Sequence, residues 1–210
     1  MSSVATPVTF SQEIRAATGA AHGTAQISQF MGELFRGAME PARYANLVAQ
    51  NYHIYRAIEA AGEAMRSDPV GSAFVFDELS RLEKVEADLE HFLGADWRLN
   101  IAPVSATAEY VNRITTASQW SGGYVAHHYV RFLGDLSGGQ HIAKVVDRNL
   151  KLEGAGLASF DFTAIPDHDA FKNEYRRRLD VANWNAEERK RILGEIFAAY
   201  EYSTAILREL

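Results

Sequence analysis

Tyr129-Val130-Arg131-Phe132-Leu133-Gly134-Asp135-Leu136-Ser137-Gly138-Gly139-Gln140 breaks the rules of the segment in which it sits. The pattern from about 123 to 150 is helical, yet three glycines fall within six interior positions. Each costs up to about 1 kcal/mol relative to alanine there. A lone glycine pair ordinarily means close helix packing or a kink. Here the glycines accompany the carboxylate of Asp135. A flat ligand lying against the backbone accounts for both features, since glycine lacks the Cβ that would hold such a ligand away.

Outward from this stretch the chain reads as helix after helix. Pro7, Pro41, Pro69, Pro103 and Pro166 all fall between long periodic segments, where proline is tolerated. The pattern predicts helices at roughly 10–36, 42–66, 72–93, 104–119, 123–150, 168–180 and 186–209. Thr9 to Gln12 suits a capping box at the first. Tyr44, Leu47, Val48, Tyr52, Tyr55 and Ile58 share one face of the second. Leu79, Leu82, Val85 and Leu89 mark the third, and Ile192, Leu193, Ile196, Tyr200, Ile206 and Leu207 the last. Residues 153–167, with Gly154, Gly156 and Pro166, read as a loop. The expectation is one all-α domain of about seven helices spanning 1–210, with about 1–9 as a flexible start.

Composition narrows the chemistry. The 210 residues are 47% hydrophobic and carry a net charge of −6, which argues against a general nucleic-acid binder. Cysteine is absent, which excludes disulfides, thiolate catalysis and iron–sulfur clusters. No apolar run reaches membrane-spanning length and no signal peptide is recognisable, so the expectation is a soluble cytoplasmic protein without a membrane partner. No Glu-x-x-His pair for a helical di-iron site occurs, nor a phosphate-binding glycine loop of either common type.

Two further groups stand out. His22 lies seven residues after Arg15 and four after Thr18, on one helix face, with Gln26 a turn further on. Seven residues span about 10 Å along a helix axis. A single histidine on a small-residue face is more often structural than a metal ligand. Lys172 and Arg176, one turn apart and followed by Arg177 and Arg178, would by themselves be a solvated charged face. Beside a dianionic ligand edge the same pair becomes a carboxylate clamp. His53, His91, His127, His128, His141 and His168 show no metal-ligand spacing and are read as structural.

These residues resemble the haem oxygenase family, over about 11–209. Gly134 to Gln140 resembles the family's distal-helix signature, preceded by Val125-Ala126-His127-His128-Tyr129 in the family's manner. His22, with Thr18 before it and Phe30-Met31 after, is similar to the proximal ligand and its surroundings. Tyr52-His53-Ile54-Tyr55, Glu109-Tyr110-Val111, Phe171-Lys172 and Tyr175-Arg176 match further family segments.

The resemblance implies a haem oxygenase-like fold, with haem sandwiched between a proximal and a kinked distal helix. It implies His22 as axial iron ligand and Asp135 as organiser of distal water, with Tyr55, Tyr110 and Arg131 extending that network. Gly134, Ser137, Gly138 and Gly139 would form the haem-contacting segment, with Gln26 and Met31 on the proximal side. Arg15, Tyr129, Lys172 and Arg176 would hold the propionates. Gln26, Phe132 and Ser203 depart from the commoner Glu, Tyr and Asn at those places. The implied reaction consumes haem b as both cofactor and substrate, with O2 as co-substrate. It opens the ring at the α-meso carbon to biliverdin, carbon monoxide and ferrous iron. The chain has no flavin, nicotinamide or iron–sulfur signature, so an external donor, a ferredoxin or flavin reductase, is implied. A monomer or weak dimer is expected. A haem carrier or sensor without turnover is the alternative, although storage needs no proton-delivering carboxylate.

Overall fold

The computed structural model describes residues 8–26 and 28–210, with the side chains of 20–26 outside the described set. The described residues are helical, turn and loop, with no strand among them. In chain order the helices are α1 Phe10–Gln26, α2 Gln29–Arg36, α3 Pro41–Met65, α4 Leu82–Leu93, α5 Trp97–Asn100, α6 Ser105–Ala117, α7 Ser121–His128, α8 Gln140–Leu150, α9 His168–Val181 and α10 Ala186–Glu209.

Helix α1 starts as its sequence suggests. Thr9 N–H donates to Gln12 Oε1 (3.1 Å), and Gln12 N–H returns a bond to Thr9 Oγ1 (3.4 Å), which is a capping box. Phe10, Ile14 and Thr18, each four apart, face inward. Ser11 donates its N–H and Oγ to the Asp180 carboxylate at 2.7 and 2.9 Å, tying this start to the end of α9.

Two expected helices come out shorter. The pattern over 10–36 is divided: Ser28 is extended (φ −63°, ψ 152°) and its side chain accepts the Met31 N–H, so a second helix starts at Gln29. That helix stops at Gly37, whose φ of 73° favours glycine. The helix expected over 72–93 begins only at Leu82, after two short 3₁₀ turns, Gly71–Phe74 and Asp77–Leu79. Its start is capped from outside: Glu59 of α3 accepts the N–H groups of Arg81 and Leu82 at 2.6 and 2.9 Å, and the Ser80 hydroxyl at 2.6 Å.

The segment expected as one helix over 123–150 is continuous but not uniform. Between α7 and α8 lie two π-helical turns, Tyr129–Leu133 and Asp135–Gly139, and the joining Gly134 keeps helical dihedrals (φ −61°, ψ −50°). Such turns hold an extra residue and concentrate at functional sites. Helix α10 packs on α1, α6 and α7, burying Ile192, Ile196, Ala199 and Ile206 in a hydrophobic cluster shared with α3, α4 and the π-helical segment. No helix of the described residues is long and apolar enough to cross a membrane.

Candidate active site

Gly134, Ser137 and Gly138 lie on the exposed face of the π-helical segment, while Leu136 and Gly139 are buried. A Cβ built on Gly134 or Gly138 would meet nothing within 4 Å among the described residues. Packing against the described residues therefore does not require glycine at either position. Gly139 differs, because its Cβ would stand 3.2 Å from Cδ1 of Phe160. Of the two explanations for the glycines, close packing suits Gly139 and an open backbone face suits the other two.

Beside that face is a polar triad. The Tyr55 hydroxyl donates to Asp135 Oδ2. Arg131 donates from Nη2 to the Tyr55 hydroxyl (3.3 Å) and to Asn51 Oδ1 (2.9 Å), with its guanidinium 5.2 Å from the Tyr55 ring centroid. Burial raises the Asp135 carboxyl above the usual carboxylate range, opposed by Arg131, by the Tyr55 bond and by Arg81. Burial likewise raises the Tyr55 hydroxyl, so it remains a donor at neutral pH. The result is a carboxylate fixed by a tyrosine and an arginine, with a raised affinity for protons.

Tyr110 stands behind this triad and does not bond to it. Its ring stacks on Tyr202 (centroids 5.3 Å) and meets His127 edge-on (5.5 Å), and its buried hydroxyl has no partner among the described residues. Arg131 Nε is also buried without a partner among the described residues. Two such orphans, electrostatic neighbours of one another, are what an ordered-water network would satisfy. Phe132 is buried against the His128 ring (4.4 Å) and Tyr55 (5.5 Å), so it fills core.

Met31, Arg131, Asp135, Phe160 and Ser203 line one cavity of about 160 Å³, with apolar side chains of α2, α3 and α10. Ser203 donates its hydroxyl to the Ala199 carbonyl (2.7 Å), which leaves no proton to offer the cavity.

The basic group gathers at another edge. Burial raises the Tyr129 hydroxyl, and the Arg176 and Arg15 charges oppose that rise, so these three residues are electrostatic neighbours. Lys172 pairs with Asp169 (2.8 Å) and Arg176 donates to Asn173 (3.0 Å), both within α9. The side chains of His22 and Gln26 lie outside the described residues; their backbone belongs to α1.

A family model described as heme oxygenase matches residues 8–209. The chain belongs to the haem oxygenase family. It is 34% identical over 203 residues to the heme oxygenase of Takifugu rubripes, covering 95% of this chain and 73% of that one. It is also 34% identical over 200 residues to heme oxygenase 1 of a Nostoc cyanobacterium, covering 94% and 84%. The fold superposes on crystallised heme oxygenase-1 of the cyanobacterium Synechocystis, in complex with heme, with a TM-score of 0.92 at 31% identity, covering 97% of this chain and 92% of that one. The heme oxygenase of Leptospira interrogans gives 0.91 at 34%, covering 96% and 100%. The expected family and all-helical haem oxygenase fold are thus both found.

Within that fold, several residues of the site escaped the sequence reading. Asn51 carried a usable signal, standing one turn before Tyr55. Phe160, which lines the same cavity, carried none, because an aromatic in a loop looks like any other.

Proposed function

We propose that this chain is an O2- and electron-dependent haem oxygenase that opens haem at the α-meso carbon, yielding biliverdin, carbon monoxide and ferrous iron. The observation that carries this reading is the open glycine face of Gly134 and Gly138 beside the anchored carboxylate of Asp135. The donor set fits haem: a backbone face without Cβ for the ring, a buried carboxylate with orphaned polar neighbours for water, and cations for propionates. When bound, haem supplies the iron that activates oxygen and the ring that is opened.

In this reading His22 would be the nitrogen donor that holds the haem iron, and Gln26 and Met31 would contact the haem near it. Gly134, Ser137, Gly138 and Gly139 bring backbone against the opposite face. Arg15, Tyr129, Lys172 and Arg176 hold the propionates, and so fix which meso carbon faces the distal polar groups. Asp135 is a proton holder: its raised proton affinity suits taking a proton from water and passing it on. Tyr55 and Arg131 fix the carboxylate's orientation, and Tyr110 bounds the water network behind it. Electrons come from a separate ferredoxin or flavin reductase.

The test is an aerobic spectral time course of the purified chain with one equivalent of hemin and a reductant, repeated with a ferredoxin system, followed by isomer analysis. Loss of the Soret band with α-biliverdin formed is expected. A stable Soret band without bilin under both electron supplies would replace this reading with a haem carrier or sensor, and a β or δ isomer would overturn the regiochemistry.

A further inference from the structure

The loop after α8 contains a short 3₁₀ turn, Ala158–Phe160, gripped by one face of α4. Asp88, 1% exposed, accepts the Ala158 and Ser159 N–H groups at 2.7 and 2.9 Å. Arg81, also 1% exposed, donates Nη1 to the carbonyls of Asp161 (2.5 Å) and Ser159 (3.4 Å). It also reaches the Leu79 and Glu78 carbonyls and stacks over Phe162 at 4.0 Å. Lys84 adds bonds to the Asp161 carbonyl (2.6 Å) and carboxylate (3.0 Å). Successive N–H and C=O groups of the turn are thus held by three side chains spaced three and four apart, Arg81 at the N-cap of α4 and Lys84 and Asp88 within it.

The turn in turn supports the distal helix. The Phe160 carbonyl accepts from Gln140 Nε2 (2.6 Å), and its ring is the atom group closest to where a Gly139 Cβ would stand, at 3.2 Å. Phe160 and Ser159 also line the cavity shared with Arg131 and Asp135.

We infer that Arg81 and Asp88 are positioning residues of the distal site: α4 holds the 158–161 turn, and the turn, through Phe160, sets where the glycine segment lies over the substrate. Neither residue touches the glycine face itself. Burying a guanidinium that donates to backbone carbonyls, and a carboxylate that accepts the Ala158 and Ser159 N–H groups and a side-chain bond from Ser159, is an expensive way to fill space, because apolar side chains do that at lower cost. The geometry that such directional bonds impose is what an apolar contact would lack. The deduction about substrate rests on the haem oxygenase reading; the mechanical coupling does not.

The test uses the full-length chain with Asp88→Asn, Phe160→Ala, the double variant, and Ile114→Val in α6 as a control for general destabilisation. Amide hydrogen exchange is followed by mass spectrometry on the haem-free protein, comparing peptides over 134–140 with peptides from α6 and α10. Each single variant should speed exchange over 134–140 by about tenfold while α6 and α10 change by less than about threefold. The double variant should be no faster than the faster single, because both cut one chain of contacts. With hemin and reductant, the variants should give mixed biliverdin isomers where the parent gives one. Uniform acceleration in every helix, as for the control, or additive effects in the double variant would overturn the inference. If Asp88→Asn does not fold, Phe160→Ala against the control decides the outcome by the same exchange pattern. A parent chain that forms no bilin would refute the haem oxygenase reading and leave the exchange result standing.

Discussion

Replacing Gly138 with alanine should strengthen the fold and weaken the site together. The added Cβ meets nothing within 4 Å among the described residues, and the segment keeps helical dihedrals on both sides. The change therefore removes backbone entropy from the unfolded chain without a clash, a gain of about 0.5–1 kcal/mol. For a chain of this length that is a rise of about 1–4 °C in the melting temperature of the haem-free protein. The same methyl stands where the ring would lie. Lifting a flat ligand by about 1 Å forfeits up to half of each dispersion contact, and over some ten contacts of about 0.1–0.2 kcal/mol each the loss is about 0.5–1 kcal/mol. That is roughly a two- to fivefold weaker hemin affinity, measurable by Soret titration. Gly134→Ala should behave alike. Gly123→Ala is the contrasting control, because its Cβ would stand 2.1 Å from the Ala117 carbonyl oxygen and should destabilise by about 1–3 kcal/mol. If Gly138→Ala lowers the melting temperature as Gly123→Ala does, or leaves hemin affinity unchanged, the glycines are packing devices and the ligand-face reasoning fails.

Two further predictions follow from titration. Burial raises Asp135 above its unfolded value, so its contribution to stability is present below that value and is lost as pH rises through the folded pKa. Asp135→Asn should therefore raise the melting temperature of the haem-free protein at pH 7, with the gain vanishing near pH 4, while suppressing biliverdin formation; a lower melting temperature at pH 7 than at pH 4, relative to the parent, would contradict this. His128, buried against Tyr175 (Nδ1 to hydroxyl 3.0 Å), is pushed down to about 3 by burial. It should stay neutral in the folded chain to below pH 5, and because its folded value lies below its unfolded one, stability should be full above about pH 6.5 and fall as pH drops below it, by up to roughly 5 kcal/mol. An imidazole resonance titrating between pH 5 and 7 in the folded protein would refute the assignment.

The legible parts of the site were those in which one helix carries its own signal. Gly134, Asp135 and Gly138 announce themselves because glycine in a helix interior has a cost that something must offset. Tyr55 lies on an inward face that three-and-four spacing identifies, whereas Arg131 was named by the family resemblance alone; the structure bonds Tyr55 to Asp135 and Arg131 to Tyr55. Tyr110 was expected in the same network, yet its hydroxyl is a step removed, because rings of Tyr202 and His127 hold it by stacking. Helix ends were legible where the cap is local, as at Thr9 and Gln12.

By itself the sequence determined that this chain is all helical, where most of its helices run, and that one of them presents an abnormal face beside a carboxylate. Those are properties of periodicity and propensity, which act over a few residues. Only the tertiary structure decided that α4 begins at Leu82, since the cap comes from Glu59 more than twenty residues earlier. Only it revealed the hold of Arg81 and Asp88 on a turn seventy to eighty residues away, and the reach of that turn to Gly139. A hydrogen bond between distant segments leaves no periodic trace in either one. It is the packing of α3, α4 and the distal helix around one core that brings those donors and acceptors into range.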